Sequence, residues 1–189
     1  MIDCHEKICE VTEEDEKLVS KVIKGDKKSF EILVNRYRRP VMKLLFRMTG
    51  DYDISLDLGQ ETFLKSWKYL KSYREGMKFS SWLFKIAANL AKDYKYKNSM
   101  KYEESIEDNK SIQSYKENPE NGLYIKSLLE KLEEPYKTAI ILRFISDFTY
   151  DEISEIMAVS PEQVKNYIFR GRKFLIKLAR EEEYYELPL

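Results

Sequence analysis

The sequence predicts an all-α protein of two small helical modules joined by a flexible linker, with a helix-turn-helix in the second module. Apolar residues recur at three-to-four spacing through both halves of the chain, which is typical of helices with one buried face. Residues 98–122 lack this periodicity and are polar and net acidic, as expected for a linker. The predicted division is a first module at 1–97, the linker at 98–122, a second module at 123–180 and an acidic tail at 181–189.

Composition argues against several classes of protein. The 33 basic residues balance the 33 acidic ones, so net charge points to no particular partner. No run of about 18 apolar residues exists and the acidic start does not resemble a signal peptide, so we expect a cytoplasmic protein without membrane insertion of its own. Cys4, His5 and Cys9 are too few for a structural zinc site. We expect a reduced, loosely ordered tail there, with no metal and no cofactor.

The first module is expected to contain four helices. The first starts with a cap at Thr12 and stops at Gly25, and the second starts after a cap at Asp26 and ends at Gly50. Pro40 lies inside the second helix and is expected to bend or break it. The carboxylates near the first cap are interpreted as helix-start charge: Glu13, Glu14, Asp15 and Glu16.

The other two helices of this module form the centre of the chain. In the first of them, large apolar residues share a stripe that we expect to face inward: Leu56, Phe63, Leu64, Trp67 and Leu70. Acidic and amide residues are left outward, together with one lysine: Asp57, Gln60, Glu61 and Lys65.

The last helix of the module carries a basic face interleaved with aromatic rings. Its inward stripe is predicted to be Phe79, Trp82, Leu83, Ile86, Ala87 and Leu90. The opposite face holds Lys85, Asn89, Lys92 and Lys95, with Tyr94 and Tyr96 between the lysines. Lysines neutralise phosphates and rings stack on unpaired bases, so this face suits nucleic acid. A solvated helix face is the alternative.

The second module contains the pattern of a helix-turn-helix. Thr149 and Glu152 form a capping box that opens a short helix, and Ala158 and Val159 make a tight turn. The final helix is then opened by a cap, a first-turn proline and a capping-box partner: Ser160, Pro161 and Gln163.

This last helix has the composition of a recognition helix. Between Val164 and Arg180 it holds basic residues and no acid. Lys165, Asn166, Phe169 and Arg170 are expected to face outward near its start, where such a helix enters the major groove. Further along, phosphate contacts are expected from Arg172, Lys173 and Lys177. A basic amphipathic helix used for protein contact is the alternative.

Two longer motifs carry a family resemblance. The string DL-x-QETF from Asp57 to Phe63, followed by F-x-x-WLF-x-IA-x-N-x-x-x-D from Phe79 to Asp93, resembles region 2 of bacterial extracytoplasmic-function (ECF) sigma factors. The string LEEPYKTAIILRFISDFTYDEISEIMAVSPEQVKNYIFRGRKFL resembles region 4 of the same class. Glu133-Glu134-Pro135 replaces the usual Leu-Pro, and Gly171 replaces Ala in the R-A-R run. Neither change removes a charge that the mechanism needs.

The resemblance implies a non-enzymatic subunit that directs core RNA polymerase to promoter DNA and helps to melt it. The outward residues Asp57, Gln60, Glu61 and Lys65 would dock on the polymerase, and the recognition helix would read the minus-35 element. Contacts to the minus-10 element would come from the basic face and from a loop that holds an extruded base. Those residues are Ser72, Tyr73, Arg74, Lys85, Asn89, Lys92 and Lys95. An anti-sigma factor is a further implied partner. For Tyr73, packing on the module's own core is an equal alternative.

Two other classes of function stay open on the sequence. A stand-alone helix-turn-helix regulator would bind an operator, but it would not need the DL-x-QETF helix or the basic aromatic helix. A protein that binds single strands or RNA would not need a capped helix-turn-helix. An assay of promoter-specific transcription with purified core RNA polymerase would distinguish a sigma factor from both of these alternatives.

Overall fold

The computed structural model describes residues 4–73, 78–102, 125 and 127–185, with side chains described over 14–73, 78–98, 125 and 127–180. Within these ranges the protein is helical, without a strand, which confirms the predicted all-α class. A 3-10 turn at Leu70–Ser72 follows α3, and residues 127–130 are helical before α5. The helices are α1 (Cys4–Ile23), α2 (Lys27–Thr49), α3 (Tyr52–Tyr69), α4 (Phe79–Tyr102), α5 (Tyr136–Phe144), α6 (Tyr150–Met157) and α7 (Pro161–Tyr185).

Helix α2 organises the first module, where it packs against α1, α3 and α4. Its predicted limits are confirmed. Asp26 caps the start by accepting from the Lys28 N–H at 3.0 Å, and Gly50 ends the helix at φ 76° with its N–H on a carbonyl of the last turn. The helix continues unbroken through Pro40, which is exposed. The buried apolar side chains of α2 are Leu33, Tyr37, Val41, Leu44, Leu45 and Met48.

Helix α1 differs from its prediction in two ways. It begins at Cys4, so the proposed cap at Thr12 and the loosely ordered tail before it are both wrong. Residues 4–11 contain neither Gly nor Pro, so no strong helix breaker stops the helix there. In addition, Asp15 is not surface charge but is 2% exposed. Its carboxylate accepts hydrogen bonds from the Arg36 guanidinium and the Tyr37 hydroxyl of α2.

Helix α3 buries a face that matches the predicted one only in part: Leu70, just after the helix, is buried and Phe63 is half-buried, as predicted, but the other three residues of the stripe are exposed. Its inward residues are mostly small: Ser55, Leu58, Gly59, Thr62 and Ser66. The predicted core residues Leu56, Leu64 and Trp67 are 38%, 70% and 42% exposed. A Cβ on Gly59 would lie 2.9 Å from the Met42 sulfur, so α3 and α2 approach closely. Small side chains allow this approach, and the larger ones are turned outward.

The two modules are in contact, which the sequence did not predict. Helix α4 packs against α2 and α3 of its own module and against α6 of the second, and α2 also contacts α5. Helix α4 continues to Tyr102, past the predicted end of the first module at residue 97. Residues 103–122 of the predicted linker lie outside the described residues, as do 123 and 124 of the second module. In the tail, α7 continues to Tyr185, and residues 186–189 lie outside the description.

None of the described helices combines the length and apolar character that a membrane span requires. Among the described side chains, no group of three or more His, Cys, Asp and Glu residues is arranged to hold a metal ion. The side chains of Cys4, His5 and Cys9 lie outside the described ones.

Candidate nucleic-acid and protein interfaces

The helix-turn-helix forms through the caps that the sequence predicts. The Thr149 hydroxyl accepts from the Glu152 N–H at 3.3 Å, while the Glu152 carboxylate accepts from the Thr149 N–H at 2.8 Å. Helix α6 ends at Met157, and the residue that follows, Ala158, has the left-handed φ of 55°. A second reciprocal cap opens α7, where Gln163 accepts from the Ser160 N–H at 3.0 Å and donates to its hydroxyl at 3.2 Å. These caps fix the direction in which α7 leaves the turn.

Helix α7 has one buried stripe and one exposed basic face, as predicted. Val164 and Ile168 are buried, and Gly171 meets α5 so closely that an added Cβ would lie 2.8 Å from Ile140 Cγ1. This close approach holds α7 against α5 at Gly171. The outward side chains are exposed, as the sequence predicts: Lys165, Asn166, Phe169, Arg170, Arg172, Lys173 and Lys177.

Two arginines of this face rest against aromatic side chains of the module. The Arg172 guanidinium lies 5.8 Å from the ring centre of Phe144. An Arg170 nitrogen donates to the Tyr136 hydroxyl at 3.4 Å. These contacts limit the conformations of two long side chains while leaving them exposed, so less entropy is lost when they meet a ligand.

The basic face of α4 is only partly accessible. Asn89 is exposed, whereas Lys85, Lys92 and Lys95 are half-buried. The ammonium of Lys95 lies 3.9 Å from a carboxylate oxygen of Glu134, in the second module. Of the lysines that we expected to meet DNA, Lys95 therefore lies at the junction of the two modules.

The loop between α3 and α4 is described on both sides of residues 74–77. Ser72 is exposed, and its hydroxyl donates to the Tyr69 carbonyl at 2.6 Å. The Tyr73 ring is half-buried and packs edge-on against Phe79 and Trp82, with centroid distances of 6.2 and 5.7 Å. Tyr73 thus makes the core packing that was the alternative to a base-holding role. Arg74 lies outside the described residues.

An exposed apolar groove of about 800 Å³ runs between α2 and α3. The predicted polar docking residues Asp57, Gln60 and Glu61 are exposed beside it, and Glu61 pairs with Lys65 at 3.0 Å. Our sequence reasoning missed the apolar members because it assigned the large residues of α3 to the core. The row of small residues on α3 was the signal that another face is buried. The apolar lining includes Phe30, Val34, Met42, Leu56, Phe63, Leu64 and Trp67.

Comparison with protein families matches both modules. Residues 33–100 match the Sigma-70 region 2 model, and residues 122–175 match the model of Sigma-70, region 4. The chain is 33% identical over 176 residues to the ECF RNA polymerase sigma-E factor of Haemophilus influenzae, covering 85% of this chain and 93% of that protein. The sigma-E factor of Escherichia coli K12 is also 33% identical, over 174 residues that cover 84% and 91% of the two chains.

Solved structures of similar fold include two complexes. The sigma factor RpoE of Bartonella quintana, solved with the anti-sigma factor NepR, matches with a TM-score of 0.71 at 22% identity, covering 81% of this chain and 98% of that one. CnrH, solved with the cytosolic domain of CnrY, gives a TM-score of 0.72 at 22% identity, covering 89% and 98%. At this identity the two structures support the fold alone.

Proposed function

The chain belongs to the ECF sigma factors of the sigma-70 family, and from this membership we propose which of its surfaces carry out each step. As a member of this family it is a transcription initiation factor. It binds core RNA polymerase, directs it to specific promoters and helps to melt promoter DNA. The observation that carries this function is the presence, in one chain, of a capped helix-turn-helix in the second module and an exposed apolar groove on α3 in the first. A stand-alone regulator has no use for the groove.

The polymerase would dock on the outward face of α3. Asp57, Gln60 and Glu61 supply charge and amide groups at the rim, and the groove between α2 and α3 supplies apolar area. Protein interfaces commonly combine an apolar, aromatic centre with a polar rim. Trp67 is the best anchor because it is 42% exposed and its ring is oriented by an edge-on contact with Phe30 at 4.8 Å. Lys65 would contribute by holding the Glu61 carboxylate in position through their ion pair.

The downstream promoter element would run along α4. Lys85, Lys92 and Lys95 would neutralise phosphates, and Asn89 is exposed beside them for a base or sugar contact. Ser72 and the predicted Arg74 would border an extruded base. Tyr73 would supply one wall of that site while its ring stays packed on Trp82. Contacts between such a pocket and the base would offset the cost of flipping the base out of the duplex, which is about a few kcal/mol.

The upstream element would be read by α7. Asn166 and Arg170 have the groups that pair with adenine and guanine edges, and Phe169, which is 67% exposed, suits contact with a thymine methyl. Phosphate contacts would come from Arg172, Lys173 and Lys177. The chain would act in the cytoplasm as a non-enzymatic subunit of the polymerase. An anti-sigma factor is proposed as a further partner, as in the RpoE complex.

The experiment that tests this function is capture of bacterial core RNA polymerase by the purified protein. Wild type is compared with a Gln60→Ala/Glu61→Ala variant that is checked for folding by circular dichroism. The matched control is Glu16→Ala, an exposed acid on α1 far along the chain from the docking face. We expect wild type and control to retain the polymerase and the double variant to lose most of it. Failure of the wild-type protein to bind any core enzyme would move the assignment to a stand-alone regulator.

Base reading by α7 predicts different losses from two exposed cations. Arg170→Ala is expected to weaken binding to the preferred duplex by roughly 1 to 3 kcal/mol and to relax sequence preference. Lys177→Ala is expected to weaken all duplexes alike and to lower the salt slope by about one. The measurement is fluorescence anisotropy with a duplex selected from a randomised pool and with a scrambled duplex, across a salt series. Equal, sequence-blind losses for both variants would contradict base reading by Arg170.

A further inference from the structure

A tyrosine at the start of α5 lies beside three neighbouring positions of α7. The Tyr136 ring packs edge-on against the Tyr167 ring, with centroids 5.8 Å apart, and the Tyr136 hydroxyl accepts a hydrogen bond from an Arg170 nitrogen at 3.4 Å. A Cβ added to Gly171 would lie 3.5 Å from the Tyr136 Cβ. Residues three and four apart are neighbours on a helix surface, so these positions of α7 form one patch around the tyrosine.

The close packing of α5 on α7 fixes the place of this ring. Ile140 is 4% exposed, and a Cβ added to Gly171 would lie 2.8 Å from its Cγ1, so only a residue without a side chain fits there. Tyr136 and Ile140 are four residues apart on α5 and therefore share a face of that helix. The half-buried Tyr136 ring is thus held by the packed interior of the module, and only its hydroxyl end reaches the basic surface.

Arg170 is a side chain that benefits from such support. It is exposed, and a guanidinium reads guanine only when its plane is aligned with the base edge for two parallel hydrogen bonds. The Tyr136 hydroxyl occupies one N–H donor of the guanidinium and leaves the remaining donors for a base. A long side chain that is held before binding loses less conformational entropy when it binds. The contact therefore favours both affinity and alignment.

We propose that Tyr136 is a positioning residue for promoter recognition: its hydroxyl holds the Arg170 guanidinium in the orientation that reads a base pair. The inference rests on the proposed base reading by α7. Tyr136 belongs to α5 and would act through Arg170, without a base contact of its own. Part of the sequence preference would then be determined by a residue outside the recognition helix.

The first arm of the test measures the mobility of Arg170 without DNA. NMR relaxation of its side-chain Nε–H group is recorded in the full chain, and the signal is assigned by its absence in Arg170→Lys. Tyr136→Phe removes the hydroxyl but keeps the ring that packs on Tyr167, and it should increase the motion of Arg170. Tyr167→Phe makes the same change on the facing ring and should leave this motion as in wild type. Equal Arg170 mobility in wild type and Tyr136→Phe would overturn the proposal.

The second arm measures sequence preference by fluorescence anisotropy. The preferred duplex is selected from a randomised pool, and a panel of duplexes changes it one base pair at a time. Tyr136→Phe should weaken binding of the preferred duplex about threefold, as expected for the loss of one hydrogen bond. It should relax the preference at the same base pair as Arg170→Ala and at no other. A purely structural role would weaken all duplexes alike, and that result would overturn the proposal.

A double-mutant cycle tests whether Tyr136 acts through Arg170. In a chain that already carries Arg170→Ala, Tyr136→Phe should cause no further loss, because the group that it positions is gone. An equal loss in both backgrounds would overturn the proposal, since the tyrosine would then act independently. Tighter binding of the preferred duplex by Tyr136→Phe would also overturn it, because the hydroxyl would then hold the arginine away from DNA. Circular dichroism checks that each variant is folded.

The outcomes separate the positioning role from the function on which it rests. If Arg170→Ala weakens all duplexes alike, base reading by Arg170 fails and the positioning role fails with it. If Arg170→Ala relaxes the preference at one base pair but Tyr136→Phe does not, the positioning role is overturned while base reading stands. Relaxation at the same base pair by both variants, with no added loss in the double variant, supports both.

Discussion

Asp15→Ala is expected to lower the free energy of unfolding by about 3 kcal/mol, because it removes a buried carboxylate that joins the buried Tyr37 hydroxyl and the partly exposed Arg36 guanidinium. The Asp15 carboxylate accepts hydrogen bonds from both the Arg36 guanidinium and the Tyr37 hydroxyl. We place the expected loss at the lower end of the range for breaking buried ion pairs, because Arg36 also contacts Glu14 at 2.9 Å and its side chain is 28% exposed. Urea denaturation followed by circular dichroism measures the change.

Two matched variants make the cause of this loss identifiable. Asp15→Asn keeps the size of the side chain and an acceptor for the Tyr37 hydroxyl, so we expect a smaller loss of about 1 to 2 kcal/mol. Glu16→Ala removes an adjacent acid that is exposed and should change stability by less than about 0.5 kcal/mol. An Asp15→Ala protein as stable as Glu16→Ala would show that the network does not hold α1 to α2.

The pH dependence of stability reports on the same carboxyl group. Burial raises the pKa of Asp15 above its ordinary 3.8 by more than the hydrogen bonds from Tyr37 and Arg36 lower it. The folded protein therefore keeps this proton to a higher pH than the unfolded chain does. The stability that this proton confers is complete below pH 3.8 and is lost as pH rises through the folded-state pKa. The unfolding free energy of wild type minus that of Asp15→Asn should fall across this window and then level off.

Local signals in the sequence predicted the elements that depend on local chemistry. The caps of α2 at Asp26 and Gly50 and the capping box between Thr149 and Glu152 are confirmed. Each cap depends on the residue type at one or two positions, a polar side chain at the start of a helix or a residue that tolerates a left-handed backbone at its end. These residue types can be identified directly in the sequence. The buried stripe of α7 is confirmed for a similar reason, since its apolar residues and Gly171 repeat at helical spacing.

Other features depend on which helices become neighbours, and the sequence predicted these less well. On α3 the hydrophobicity of Leu56, Leu64 and Trp67 predicted that these residues face the core, but the close approach of α2 favoured the small side chains of the neighbouring face. Asp15 was interpreted as helix-start charge, because nothing near it in the sequence showed that Tyr37 would contact it. The contact between Phe84 and Phe148 joins two modules across the linker, and no periodicity within either module predicts it.

The exposed groove on α3 leads to the second large effect, the loss of polymerase binding on Trp67→Ala. Large, partly exposed aromatic anchors commonly cost 2 kcal/mol or more when truncated, which corresponds to about 30-fold in affinity. Leu64 is 70% exposed, so we expect Leu64→Ala to lower the affinity for core RNA polymerase about tenfold. The same change should alter the free energy of unfolding by less than about 0.5 kcal/mol. Titration of labelled protein with core RNA polymerase gives the affinities, and urea denaturation gives the stabilities.

The control for this groove is Ile32→Ala. Ile32 is 48% exposed on α2 and does not line the groove, so its truncation removes similar apolar surface outside the proposed contact. We expect it to leave polymerase affinity unchanged. A large loss of stability in Leu64→Ala would restore the original prediction that this residue belongs to the core. Equal polymerase affinity for Leu64→Ala, Trp67→Ala and Ile32→Ala would show that the polymerase docks elsewhere, because an apolar surface that binds a partner must lose affinity when its exposed anchors are removed.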